Sequence, residues 1–196
     1  MRREKAVLIR RIQIKKIIER AAYFFGFNIS AYDLKYELNL LRYNLPPSFK
    51  GRDAVDVGCG DGRVSLKLKK VIKPRSFKGV DLSQSLVFLA RKRGLEARVM
   101  DVEKQLIAGD LGILWGVVHH FQNPVSTLGK LHKSFNSLLI RAPVNSKRVC
   151  ELGQKFDKKE FLEIVSSSGI ERNECRIVES KRTDSLIIFV HPARLP

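Results

Sequence analysis

The sequence predicts an α/β protein: a doubly wound, mostly parallel seven-stranded sheet with an N-terminal helical extension. Three observations carry that prediction. Residues 54–62 read Ala-Val-Asp-Val-Gly-Cys-Gly-Asp-Gly, a short apolar strand running into three closely spaced glycines. Val64, Leu66, Leu68 and Val71 follow at helical spacing, so strand, glycine turn and helix are contiguous. Three acids in succession, Asp56, Asp81 and Asp101, stand at the carboxyl ends of predicted strands. Ligands of open α/β sheets bind at that end of the strands.

The elements follow in order. Residues 2–25 form an amphipathic helix, with Val7, Ile14, Ile18, Ala21 and Phe25 on one face and Arg3, Arg10, Arg11, Lys15, Lys16 and Arg20 over much of the rest. Ser30 and Asp33 resemble a capping box that starts a second helix over 31–44. Leu34, Leu38, Leu41 and Leu45 give its buried face, and Pro46-Pro47 ends it. Residues 1–50 are read as a basic helical cap and 51–196 as the main domain. The cap is too short for a core of its own.

After the glycine turn, residues 77–81 give a second strand. Ser83 caps a helix over 84–93, which stops at Gly94. A third strand over 97–100 leads into Asp101, and residues 109–121 carry the fourth. A helix over 125–134 and a strand over 137–141 come next, with Ala142-Pro143 expected to turn the chain away. A helix over 156–168 places Phe161, Leu162 and Val165 inward and ends at Gly169. Two further strands, 176–179 and 185–190, complete the pattern.

The glycine spacing selects the ligand class. Glycines let the backbone turn sharply and let a ligand approach where a Cβ would collide, and a helix N-terminus presents N–H groups. The dinucleotide fingerprint is G-x-G-x-x-G. Here it is G-x-G-x-G, with Arg63 at the place of the third glycine, which disfavours a nicotinamide-dependent oxidoreductase. Asp56 beside the loop would repel a pyrophosphate but suits an ammonium or sulfonium charge.

Asp56, Gly58, Cys59, Gly60 and Gly62 together resemble the first motif of class I S-adenosylmethionine-dependent methyltransferases. Asp81, 19 residues past Gly62, can accept both ribose hydroxyl hydrogens, and Leu82 follows it. The resemblance implies that Asp101 takes the adenine amino group and that Val102 lies beside the ring. Residues 109–121 are similar to the fourth region of a branch containing quinone and other small-molecule methyltransferases and enzymes that methylate a carboxylate on modified tRNA wobble uridines. The resemblance covers roughly residues 52–143. It implies S-adenosyl-L-methionine as cofactor, Trp115 near its methionine end, and a terminal antiparallel strand pair closing the sheet. In that family the segment before the first strand often folds over the cofactor and substrate, so Tyr32 and Tyr36 are candidates to line the acceptor pocket, with packing as the alternative for each.

His119 and His120, after the fourth strand, are the candidate catalytic residues: either could deprotonate a hydroxyl or orient the acceptor, or the pair could stabilise the loop. Arg141 could meet an anionic acceptor or close a salt bridge at its strand end. The Asn/Asp-Pro-Pro-aromatic motif that holds an exocyclic base nitrogen is absent after the fourth strand, which argues against adenine-N6 or guanine-N2 methylation. No metal-ligand spacing occurs among the three cysteines.

The 196 residues carry 37 basic and 20 acidic side chains, a net charge of +17. Residues 1–52 alone hold 12 basic against 4 acidic. Such a charge attracts polyanions, although a basic surface can also serve solubility and ion pairing. The His-type fourth region and the short chain favour a small-molecule acceptor, in particular an anionic one. RNA reached through the basic helix is the alternative, and a catalytically silent cofactor-binding module is a third reading. No apolar run is long enough to span a bilayer, and free thiols point to a reducing, cytoplasmic setting.

Overall fold

The computed structural model describes residues 33–144 and 153–191. The helix expected over 2–25, Ser30, Tyr32 and Cys150 lie outside the described residues.

Among the described residues, five α-helices flank one seven-stranded sheet. In chain order the elements are α1 (Leu34–Asn44), β1 (Asp53–Val57), α2 (Arg63–Ile72), β2 (Ser76–Asp81), α3 (Gln84–Lys92), β3 (Glu96–Val99), β4 (Gly109–Trp115), α4 (Pro124–Ser134), β5 (Phe135–Pro143), α5 (Lys158–Ser167), β6 (Cys175–Ser180) and β7 (Ser185–Val190). The strands lie in the order β3-β2-β1-β4-β5-β7-β6. The first five run parallel, and β7 is antiparallel to both β5 and β6. The chain leaves β1 toward β2 and β3 on one side and returns to β4 on the other. That makes β1/β4 the switch point, where a doubly wound sheet opens a crevice.

Strand periodicity divides the core into two layers. Leu186, Ile188 and Val190 of β7 pack with Leu128, Phe161 and Val165 under α4 and α5. Ile187 and Phe189 face the other way, with Leu41, Leu68, Ile72 and Ala90 under α1, α2 and α3. Every residue of β7 is buried, as a central strand covered on both faces must be. Truncating Phe161 or Phe189 to alanine would cost about 3–5 kcal/mol.

Three local corrections apply. Helix α1 starts at Leu34, with Asp33 itself as the cap, accepting from Tyr36 N. Strand β5 does not end at Arg141; it continues through Pro143, because Ala142 and Pro143 pair with Leu186 and Ser185 of β7. The last helix begins at Lys158, behind a capping box in which Asp157 and Glu160 satisfy each other's backbone N–H groups.

Candidate functional site

The glycine turn is built as its spacing requires. Gly58, Gly60 and Gly62 all have positive φ, at 75°, 55° and 80°, a region that costs little only for glycine. Their reasons differ. A Cβ on Gly58 would collide with the Val117 side chain, and one on Gly62 would press on Ala90 of α3 at 3.2 Å. Gly60 alone of the three faces open space, with nothing within 4 Å of a Cβ there.

Asp81 ends β2 under that opening. Its Oδ2 accepts from Gly60 N and its Oδ1 from Ser83 N, both at 2.8 Å. Burial raises its pKa, and these two backbone donors oppose the rise. Each carboxylate oxygen keeps a second lone-pair site. Leu82, next along the chain, is 68% exposed, an apolar surface beside the carboxylate.

Asp101 opens the turn after β3. Its Oδ1 accepts from Glu103 N at 3.0 Å and its Oδ2 lies 3.3 Å from Lys104 Nζ. Val102 is buried in the α4/α5 layer with Val57 and Val80.

Asp56 and Cys59 point inward. Asp56 is buried, and loss of hydration pushes its carboxyl up to about 7, against the lowering effect of the Ser65 hydroxyl. The Cys59 thiol fills the space left by Gly79, where a Cβ would lie 2.7 Å from its sulfur. Burial, helped by the Asp56 and Asp81 charges, raises the thiol pKa and keeps it protonated. Cys59 therefore shapes the turn through its backbone: its N–H donates to Val80 O, and its carbonyl accepts from Gly62 N and the Ser65 hydroxyl.

The second part of the site lies at the carboxyl ends of β4 and β5. Trp115 and Arg141 are paired across the two strands. Gly116, with φ of 74°, brings the chain over Arg141, and Val118–His120 then form one 3-10 turn. His119 is 7% exposed and its ring centre lies 4.0 Å from that of the exposed His120. Burial first, then His120 and the Arg141 charge, lower its pKa to about 3. His119 is thus neutral at physiological pH and a weak base.

Sequence reasoning missed what holds this end together. Arg141 does not stand open to an anion. Its Nη2 and Nε donate to Glu37 Oε1 at 2.8 and 3.2 Å, and both side chains are buried. Glu37 sits on the apolar stripe of α1, four residues before Leu41, and that placement was the available signal. Tyr36, next to it, lies under the Arg182 guanidinium at 5.0 Å, and Asp33 pairs with the same arginine. Gly153 and Gln154 cover His119: a Cβ at Gly153 would lie 2.5 Å from the His119 carbonyl, and Gln154 N donates to that carbonyl at 2.7 Å. Glu103 joins the two ends of the site, its Oε1 accepting from Gln122 N, Asn123 N and Thr127 Oγ1. Among the described residues, no group of His, Cys, Asp and Glu could hold a metal ion, and no helix is long and apolar enough to cross a membrane.

The model of a methyltransferase domain family matches residues 54–136, from the glycine turn through the histidines to β5. This segment is a methyltransferase domain. The sheet order and the antiparallel β7 are those of the class I S-adenosylmethionine-dependent methyltransferases.

Among solved structures, the chain is similar to an S-adenosylmethionine-dependent methyltransferase of Thermotoga maritima, a possible histamine N-methyltransferase, at 14% identity and TM-score 0.67 over 91% of this chain and 98% of that one. The magnesium protoporphyrin IX methyltransferase of Synechocystis PCC 6803, solved with S-adenosylhomocysteine, gives 14% identity and TM-score 0.60 over 82% of each chain. The [4+2]-cyclase SpnF gives 16% and 0.64 over 80% of each. A search of the curated proteins finds no matching sequence.

The residues present fit S-adenosylmethionine as methyl donor. Gly60 leaves open the place a Cβ would fill, Asp81 has acceptor capacity for hydroxyls, and Leu82 offers apolar surface for a purine.

Proposed function

We propose that this methyltransferase transfers a methyl group to a small-molecule acceptor bound at the carboxyl ends of β4 and β5. The observation that carries the reading is the arrangement around Arg141: Glu37, Trp115 and His119 are polar side chains almost fully buried at the carboxyl ends of β4 and β5. A polynucleotide would need an open, basic surface there.

S-adenosylmethionine supplies a methyl group on a sulfonium, open to in-line displacement. The chain supplies placement. In this reading Asp81 holds the ribose hydroxyls, Leu82 and Val102 flank the adenine, and Asp101 accepts from its amino group. Gly58, Gly60 and Gly62 admit the methionine portion, with Trp115 closing that end. The buried acid of Asp56 compensates positive charge when it ionises. His119, neutral and weakly basic, orients the acceptor by hydrogen bonding instead of removing a proton from it, while exposed His120 lines the entrance. An acceptor with its own lone pair, reacting without a strong base, suits this site.

The net charge of +17 favours a second reading, in which RNA is the acceptor and the basic segment over 2–25 holds it. One experiment separates the two. The protein is incubated with methyl-labelled S-adenosylmethionine and an extract from a strain lacking it, and RNA, protein, lipid and small-molecule fractions are counted. Label in the small-molecule or organic fraction is expected. Label in RNA would replace this reading with the second. Cofactor binding with no label in any fraction would reduce the chain to a cofactor-binding module.

A further inference from the structure

Three donors converge on one oxygen of Glu37. Arg141 Nη2, Arg141 Nε and the Ser185 hydroxyl reach Oε1 at 2.8, 3.2 and 2.7 Å. The other oxygen, Oε2, is buried and has no hydrogen-bond partner among the described residues. Two more orphaned polar atoms belong to neighbours of Arg141. Trp115 Nε1, on the residue paired with Arg141 across the strands, has no partner, and neither does Nδ1 of His119. All three side chains are more than nine-tenths buried. Buried polar atoms ordinarily have partners, and one left without is costly. Three such atoms, on the residue that binds the guanidinium, on its strand partner and on the histidine whose titration it influences, mark a place that a polar ligand completes.

The chemistry of the three selects the ligand. Glu37 Oε2 can only accept, Trp115 Nε1 can only donate, and a neutral His119 nitrogen does one or the other according to tautomer. The Glu37–Arg141 pair is already neutral. An added carboxylate would meet the Glu37 charge, and an added ammonium would leave an uncompensated cation in a buried site. A neutral head that donates from one atom and accepts at another satisfies both sides.

We propose that Glu37 recognises the acceptor, taking an uncharged donor–acceptor head such as a carboxamide or a neutral azole, with Trp115 donating to the same head. This rests on the small-molecule methyltransferase reading. It replaces the anionic acceptor that Arg141 suggested.

The test uses the intact protein saturated with S-adenosylhomocysteine, whose binding is first measured by calorimetry. Trp115 is the sole tryptophan of the chain, so its indole N–H gives a single cross-peak in a nitrogen–proton correlation spectrum. Acetamide, acetate and methylammonium are titrated in turn. Acetamide is expected to move that peak saturably, with at least tenfold higher apparent affinity than either ion. In Glu37→Gln, an amide N–H replaces the accepting Oε2, and the order is expected to turn toward acetate.

Equal responses to the three probes in the wild-type protein, or none, would overturn the proposal without any variant having to fold. A tenfold loss of S-adenosylhomocysteine affinity in Glu37→Gln would also overturn it, by giving Glu37 to the cofactor. Failure of S-adenosylhomocysteine to bind the wild-type protein at all is a different result, and it would remove the methyltransferase reading itself.

Discussion

At the carboxyl ends of β1, β2 and β3, backbone amides do the holding; at those of β4 and β5, buried side chains do. Asp81 and Asp101 each accept from main-chain N–H groups in the turn beside them. The second end is a knot of Glu37, Arg141, Ser185 and His119, drawn from α1, β5, β7 and the loop after β4. A cradle made of backbone can serve one cofactor on many sequences, because it asks mainly for glycines and acids at fixed spacing. A knot made of side chains asks for particular partners drawn from distant parts of the chain, and the acceptor recognition proposed above is assigned to it.

That contrast can be broken experimentally, and the largest effect should come from the side-chain end. Arg141→Met leaves the Glu37 carboxylate buried without its counter-ion, so unfolding free energy should fall by about 3–5 kcal/mol. Affinity for S-adenosylhomocysteine should stay within about twofold if the two ends are separable. The double variant Glu37→Leu/Arg141→Met should recover most of the stability. Chemical denaturation and calorimetry read both quantities, and a cofactor affinity that falls with stability would show the ends to be one unit.

At the backbone end, Gly79→Ala puts a methyl group 2.7 Å from the Cys59 sulfur. It should cost about 1–3 kcal/mol through overpacking and weaken S-adenosylhomocysteine by shifting the glycine turn. Adding Cys59→Gly should relieve part of the stability loss.

Asp81→Ala removes the acceptor for Gly60 N and Ser83 N, and with them the ribose contact proposed above. Its affinity for S-adenosylhomocysteine should drop at least tenfold, about 1.4 kcal/mol. Unchanged affinity by calorimetry would mean that the ribose lies elsewhere.

The smallest effect in the wild-type protein is the net of two opposed pH slopes. Asp56, raised to about 7, binds a proton in the folded chain that the unfolded chain releases near 3.8. Its contribution is full below 3.8 and is lost as pH rises through 7. His119, lowered to about 3, does the reverse: the unfolded chain binds a proton below 6.5 that the folded chain refuses, so stability from this group rises between pH 3 and 6.5. Each slope is at most about 1.4 kcal/mol per pH unit. Between pH 4 and 6.5 the two largely cancel in the wild-type protein. Asp56→Asn should uncover the rising slope and His119→Gln the falling one, measured as melting temperature against pH.

The same division governs what could be read from the chain. The turn at 58–62 and the acids that follow were legible because they obey local rules: glycine for positive φ, a carboxylate at a strand tip, Ser83 as a cap. Even there, Cys59 and Asp56 turned inward, since facing the ligand or the core is decided by Gly79 and Ser65 on other elements. Arg141 was singled out, but its partner lies 104 residues away in α1, and no local pattern announces such a pair. Gly153 and Gln154 went unremarked for the same reason: their partner is the carbonyl of His119. The continuation of β5 through Ala142-Pro143 depended on β7, which supplies the pairing that a local reading of proline rejects.

The position of β7 bears on how the protein is made. It enters between β5 and β6 and is buried along its whole length. While the chain is being synthesised, β1, β2 and β3 can assemble with their helices long before Ser185 exists. The edge of β5, and the Glu37–Arg141 pair that needs the Ser185 hydroxyl, must wait for the final strand. An unfinished chain therefore carries a nearly complete cofactor cradle beside an open apolar strand edge, the kind of surface that invites pairing with another chain. Ribosome-bound intermediates stopped before residue 185 would be the species most in need of a chaperone.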